Sequence, residues 1–169
     1  MKNFCFGILA ATVGTVIFGY LFVYLGGIPM DTKSGALPGE MFLARTALRA
    51  AIKSEIGRQS SVAADENTWR AGARIYKTNC RVCHGSPGLP ETPIAKGMFP
   101  PPPQLMKDGV EDDPVGETFW KIKNGIRLTG MPGFGGALSE TELWQVSQFL
   151  VKGGGKLPSA ILDSLRARD

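Results

Sequence analysis

The chain has 169 residues, is 43% hydrophobic, holds 22 Gly and 12 Pro, and carries a formal net charge of +4. That length accommodates one domain of ordinary size plus an appendage. The charge is thinly spread: residues 65–152 contain ten Lys/Arg and ten Asp/Glu, and a neutral main segment argues against nucleic-acid binding, which needs a clustered basic surface.

The apolar residues concentrate at the N-terminus. Phe4 to Ile28 is uncharged over 25 residues. As a helix it would reach about 38 Å at ~1.5 Å per residue, enough to cross a bilayer core of about 30 Å. A secretory signal has a shorter apolar region, about 7–15 residues, before a small-residue cleavage site. Here the run is longer, no clear A-x-A site follows, and Tyr20, Tyr24 and the Gly-Gly-Ile-Pro exit suit a membrane interface. Residues 1–29 are therefore expected to be a retained transmembrane anchor, with a cleaved signal as the alternative. Cys5 lies in no lipobox-like pattern and reads as a small apolar residue.

Residues 30–64 read as a linker with an amphipathic helix. The spacing of Met41, Ala44, Leu48, Ile52 and Ile56 predicts that helix over about 38–56, stopped by Gly57. Arg45, Arg49 and Lys53 recur on another face. They form either a solvated basic surface or a contact with anionic headgroups or a partner subunit.

The main domain is expected over 65–152. A helix starting near Asp65, with Asp65 and Glu66 favourably placed in its first turn, runs into CRVCH. A Pro-rich loop follows, from Pro87 through the four prolines 100–103. The next helix covers DPVGETFWKIKNG, with Asp113 as cap, Pro114 at the first position and Gly125 as the stop. After a Gly-rich loop, LSETELWQVSQFLVKGG predicts a last helix. Ser139 and Glu142 form its capping box, Leu138 and Leu143 its hydrophobic staple, and Gly153 its end. Residues 153–169 read as a tail. No β-rich alternation or internal repeat appears, so the fold class is all-α: a small helical domain with long loops that something must fill at the centre.

CRVCH, residues 80–84, uses two of the three cysteines and the only histidine. C-x-x-C-H is the attachment pattern for c-type haem. Two thiols one helical turn apart can each add to a vinyl group, and the adjacent imidazole then lies under the iron. Cys80 and Cys83 are the expected tethers of one covalent haem c, and His84 the proximal ligand. A zinc site would need a fourth ligand that the main domain lacks. A thioredoxin-like dithiol would need a βαβ context, and a disulfide between the two cysteines would leave His84 unexplained.

With no second histidine, a sulfur ligand is expected on the other face. The domain offers Met98, Met106 and Met131. Met131 is favoured, because T-G-M-P-G-F-G brings glycines that permit close approach to a flat ring, and Pro132 biases it towards extended backbone. Arg127, four residues earlier, is a candidate partner for a propionate, as are Arg81 and Trp120, against the plainer reading of a solvated arginine.

Residues 65–152 resemble a class I, mono-haem cytochrome c. Besides CRVCH, Gly72 and Tyr76 stand eight and four positions before Cys80, and G-M-P-x-F is similar to the family's ligand loop. The resemblance implies that Gly72 lets the first and last helices cross closely, against Val146 and Phe149. It also implies that a proline carbonyl accepts the His84 Nδ1–H, with Pro93 the best match and Pro87 and Pro90 nearby. The F-P-P-P-P-Q-L loop resembles single-haem domains of bacterial respiratory chains and quinoprotein dehydrogenase subunits.

Such a site serves one-electron transfer rather than catalytic turnover, since both axial positions are filled. The expected function is an electron carrier tethered to the periplasmic face of a bacterial inner membrane by a single span. Its partners would be redox proteins: a quinol-oxidising complex or dehydrogenase as donor, a terminal oxidase or another cytochrome as acceptor. The alternative is a fixed haem subunit of a larger respiratory or dehydrogenase membrane complex. An enzyme or gas sensor with a labile sixth ligand is a third class.

Overall fold

A computed structural model describes residues 2–110, 112–152 and 157–166. The described elements are helical: α1 (Lys2–Tyr24), α2 (Glu40–Ile52), α3 (Glu66–Asn79), α4 (Arg81–His84), α5 (Pro93–Lys96), α6 (Leu105–Asp108), α7 (Val115–Asn124), α8 (Glu140–Lys152) and α9 (Ser159–Arg166). No strand occurs among the described residues. The chain divides into two compact units, Met1–Met41 and Phe42–Asp169.

In the first unit, α1 buries no residue and is long and apolar enough to cross a membrane. It ends in a Schellman turn. Gly26, at φ +80°, donates to Val23 O (3.0 Å), and Gly27 donates to Phe22 O (2.8 Å). Tyr20 and Tyr24 stack at 6.0 Å beside this end.

The second unit is built on the crossing of α3 and α8. Asp65 caps α3 by accepting from the Thr68 N–H at 2.8 Å. The capping box of α8 is complete: Ser139 N–H donates to Glu142 Oε2 (2.8 Å), and Glu142 N–H to Ser139 Oγ (3.3 Å). A Cβ on Gly72 would collide with Gln145 O and stand 2.5 Å from Phe149 Cβ, so only glycine lets the two backbones approach this closely. Tyr76 and Phe149 meet beside the crossing at 5.5 Å, and Val146 is fully buried. α7 closes the core from another side, with Phe119 stacked on Trp144 at 4.0 Å.

Three boundaries differ from the sequence-based expectation. α2 spans 40–52 rather than 38–56, because Gly39 adopts φ +84° before it and isolated turns at Glu55 and Arg58 replace helix after it. α7 starts one residue late: Pro114 is its N-cap, and the Asp113 carboxylate binds Lys121 (3.0 Å) instead of capping. Beyond residue 152, Leu157, Ile161 and Leu165 are buried in the same core as α3 and α8, so α9 belongs to the domain rather than to a loose tail. Gly153, expected to end α8, lies outside the described residues.

The segment before α3 also packs on the domain. Ile52 is buried, and Gly116 of α7 sits where a Cβ would collide with Glu55 O and stand 2.8 Å from Arg58 O. The Arg58 guanidinium lies 4.6 Å from the Phe119 ring centroid and pairs with Glu140 (2.9 Å) and Glu55 (3.2 Å). Residues 52–58 are thus a strap across α7 and α8. Arg45 and Arg49 on α2, and Lys53 just after it, are solvent-exposed.

Candidate haem site

The C-x-x-C-H segment forms one short helical turn, with His84 N–H bonded to Cys80 O at 2.9 Å. Cys80, Cys83 and His84 are therefore brought together as expected, both cysteines as free thiols. Cys80 packs against the hydrophobic core. Burial, with a smaller effect of Cys83, pushes its thiol up to about 12.

Tyr76 and Gln104 hold the turn from outside. The Tyr76 hydroxyl donates to Gly85 O (2.8 Å) and His84 O (3.1 Å), and burial raises its pKa above the ordinary tyrosine value. Gly85 adopts φ +74° with Gln104 Oε1 filling the space a Cβ would need, while Gln104 Nε2 donates to Cys83 O at 3.3 Å.

His84 Nδ1–H donates to Pro103 O at 2.9 Å. A carbonyl only accepts, so this bond fixes the tautomer and leaves the Nε2 lone pair as the ring's donor to a metal. Burial lowers the imidazole pKa, against a smaller opposing effect of the Pro103 bond, and so keeps the ring neutral and able to ligate at neutral pH.

Pro93 does not take the part expected of it. It is the first residue of α5, and its carbonyl is used within that turn, accepting from Gly97 N–H at 3.2 Å. α5 instead braces the attachment turn through Thr92, whose hydroxyl donates to Val82 O (2.6 Å) and accepts from Ala95 N–H (3.1 Å).

The Gly-rich loop folds back on the end of α7. Gly125, at φ +70°, lies where a Cβ would stand 2.7 Å from Met131 O and 2.6 Å from Gly133 N. Met131 is half-buried. Its N–H donates to Thr129 Oγ1 (3.1 Å), and its carbonyl accepts from Ile126 N–H (3.2 Å). The other two methionines lie in different settings. Met106 lines a groove of about 630 Å³ together with His84, Ser86 and Gln104. Met98 lies against Gly130. Arg127 is exposed in the turn before Met131.

These residues suit a covalently held haem. There are two free thiols on one turn, an imidazole with its distal nitrogen left for a metal, and thioethers on loops that glycines keep slim. The buried Ser86 hydroxyl, beside His84, has no partner. Among the described residues, no three His, Cys, Asp or Glu side chains cluster as a protein-only metal site requires.

Tyr76, Pro103, Gln104 and Thr92 are the supporting residues that sequence reasoning did not place at the site in these parts. Tyr76 was marked by the resemblance, as the aromatic four positions before Cys80. For Pro103 and Gln104 the available signal was the proline run itself, stiff chain within reach of CRVCH.

Residues 67–150 match the family model described as cytochrome C oxidase, cbb3-type, subunit III. A curated relative, the cytochrome c6 of Petalonia fascia, is 28% identical over 83 residues, covering 47% of this chain and 86% of the relative.

Proposed function

Because the chain carries a mono-haem class I cytochrome c domain with a covalently bound c-type haem, we propose that it is a one-electron carrier with His84/Met131 ligation, held at the periplasmic face of a bacterial inner membrane. When bound, the haem supplies the one-electron iron couple. Cys80 and Cys83 would hold it through thioethers, and His84 Nε2 would ligate its iron. The observation that carries the reading is the His84–Pro103 bond. It dedicates the chain's only imidazole to one orientation and leaves the opposite face to sulfur.

Met131 fits that face best. Its backbone is pinned by bonds to Ile126 and Thr129 and by close approach to Gly125 at the end of α7, while Met106 shares a groove with His84. A thioether paired with imidazole raises the reduction potential relative to two nitrogen donors. With His84 and Met131 both ligating, a small molecule would reach the iron only by displacing one of them, which would suit electron transfer rather than substrate turnover. Arg127 stands four residues from Met131 and is proposed as a propionate partner. The partners are redox proteins: a quinol-oxidising complex or dehydrogenase on one side, a terminal oxidase on the other.

α1 supplies the anchor on this reading, with its stacked tyrosines at the interface. A second reading, a fixed haem subunit of a larger membrane complex, is favoured by the family description, which names a subunit of an oxidase. Mild detergent extraction from the native membrane separates the two. A monomer carrying haem supports the shuttle, and a stable multi-subunit species supports the subunit.

A further inference from the structure

The stretch from Met98 to Gln104 touches both loops that carry the proposed axial ligands. At its far end Pro103 O accepts the His84 Nδ1–H at 2.9 Å, and Gln104 bonds Cys83 O at 3.3 Å. At its near end the Met98 terminal methyl occupies the space that a Cβ on Gly130 would need, with Met98 Sδ 3.7 Å from that point. Gly130 immediately precedes Met131. Between the two contacts lie Phe99 and the prolines 100–102, with Pro103 completing the run. Each proline fixes φ near −65° and lacks an N–H, so the run neither coils nor joins a helix. Both ends are pinned: Met98 N–H bonds Ala95 O (3.2 Å), and Gln104 N–H bonds the Asp108 carboxylate (2.8 Å).

We propose that Met98 and the proline run form a strut that holds Met131 on the iron and couples that hold to the orientation of His84. The inference rests on the His84/Met131 reading. Met98 is a positioning residue in this scheme. Its side chain leans on the ligand loop at Gly130, so the loop cannot swing out towards Met98 without moving it. The prolines transmit that resistance to the carbonyl that fixes His84. A flexible connection in their place would let the two ligands relax independently.

The test uses holoprotein matured in a periplasm-competent host. Imidazole is titrated into the ferric form while the near-infrared sulfur-to-iron band and the midpoint potential are followed. Met98→Ala is expected to let imidazole displace the sulfur ligand at about ten- to hundredfold lower concentration, the range typical for losing a supporting residue, and to lower the potential. Met98→Leu, which conserves volume, is expected to stay within about threefold of wild type. The double variant Pro101→Gly, Pro102→Gly is expected to weaken the band as Met98→Ala does. Unchanged imidazole affinity and potential in both Met98→Ala and the double variant overturn the strut while leaving Met131 as ligand. Retention of the band in Met131→Ala, or its absence in wild type, overturns the ligand reading itself. If Met98→Ala abolishes the band without imidazole and Met131→Ala keeps it, Met98 is the ligand and both readings fall.

Discussion

Tyr76 makes the attachment turn depend on a side chain eight residues upstream of His84, because its hydroxyl is shared by the His84 and Gly85 carbonyls. Tyr76→Phe keeps the ring contact with Phe149 and removes both bonds. It should destabilise the holoprotein by about 1 kcal/mol, the usual net worth of a hydrogen bond, read as a lower urea midpoint at unchanged slope. Gly72→Ala tests the crossing. A solvated helix would gain about 1 kcal/mol from this change. Here the added methyl meets the Gln145 carbonyl and Phe149, and overpacking of about 1–3 kcal/mol outweighs the gain, so the midpoint should fall. Both residues were legible only through the resemblance to class I cytochromes c, which places a glycine and an aromatic eight and four positions before the first attachment cysteine. The Nδ1 acceptor was not. Several prolines lie within reach of His84 along the chain, and which carbonyl arrives is decided by loop path. Pro93 starts a helical turn and uses its carbonyl there, whereas Pro103 ends the rigid run at the ring.

At the scale of elements, caps and stops were readable wherever chemistry is local. The Ser139–Glu142 box and the Gly125 stop form as their residues dictate. Ser139→Ala should therefore cost about 1 kcal/mol in the same denaturation assay. Asp113 behaved otherwise because its carboxylate pairs with a lysine two turns along α7: Lys121 binds both Asp113 (3.0 Å) and Glu117 (2.7 Å). Burial disfavours the Lys121 charge, but its bonds to Glu117 and Asp113 outweigh that and raise its pKa. A raised folded-state pKa contributes stability that is complete below the ordinary lysine value of about 10.4 and is lost as pH climbs through the folded value. Lys121→Met should thus melt earlier than wild type at pH 8, with the gap narrowing above the lysine range. The strap 52–58 escaped the sequence because its partner surface, Gly116 and the Phe119–Trp144 stack, is assembled only by the fold. Arg58→Ala should expose residues 53–62 to limited proteolysis by an endoproteinase that cleaves after glutamate, while the haem spectrum stays unchanged.

For the whole molecule, the division at Met41 separates an apolar helix from a domain whose core runs from α3 to α9. The helical class, the haem and the apolar N-terminus were all readable from composition and one pentapeptide. The reach of the core past residue 152 was not read, although Leu157, Ile161 and Leu165 recur every fourth residue, because a short segment after several glycines resembles a tail until it is seen packed. The central claim is that the domain holds its haem between the nitrogen of His84 and the sulfur of Met131. The most direct test is the near-infrared absorption of the ferric holoprotein at neutral pH, beside that of Met131→Ala. A low-spin spectrum with a sulfur-to-iron band in wild type, absent from the variant, is the predicted result; a high-spin wild-type spectrum, or a band that survives the substitution, would contradict it.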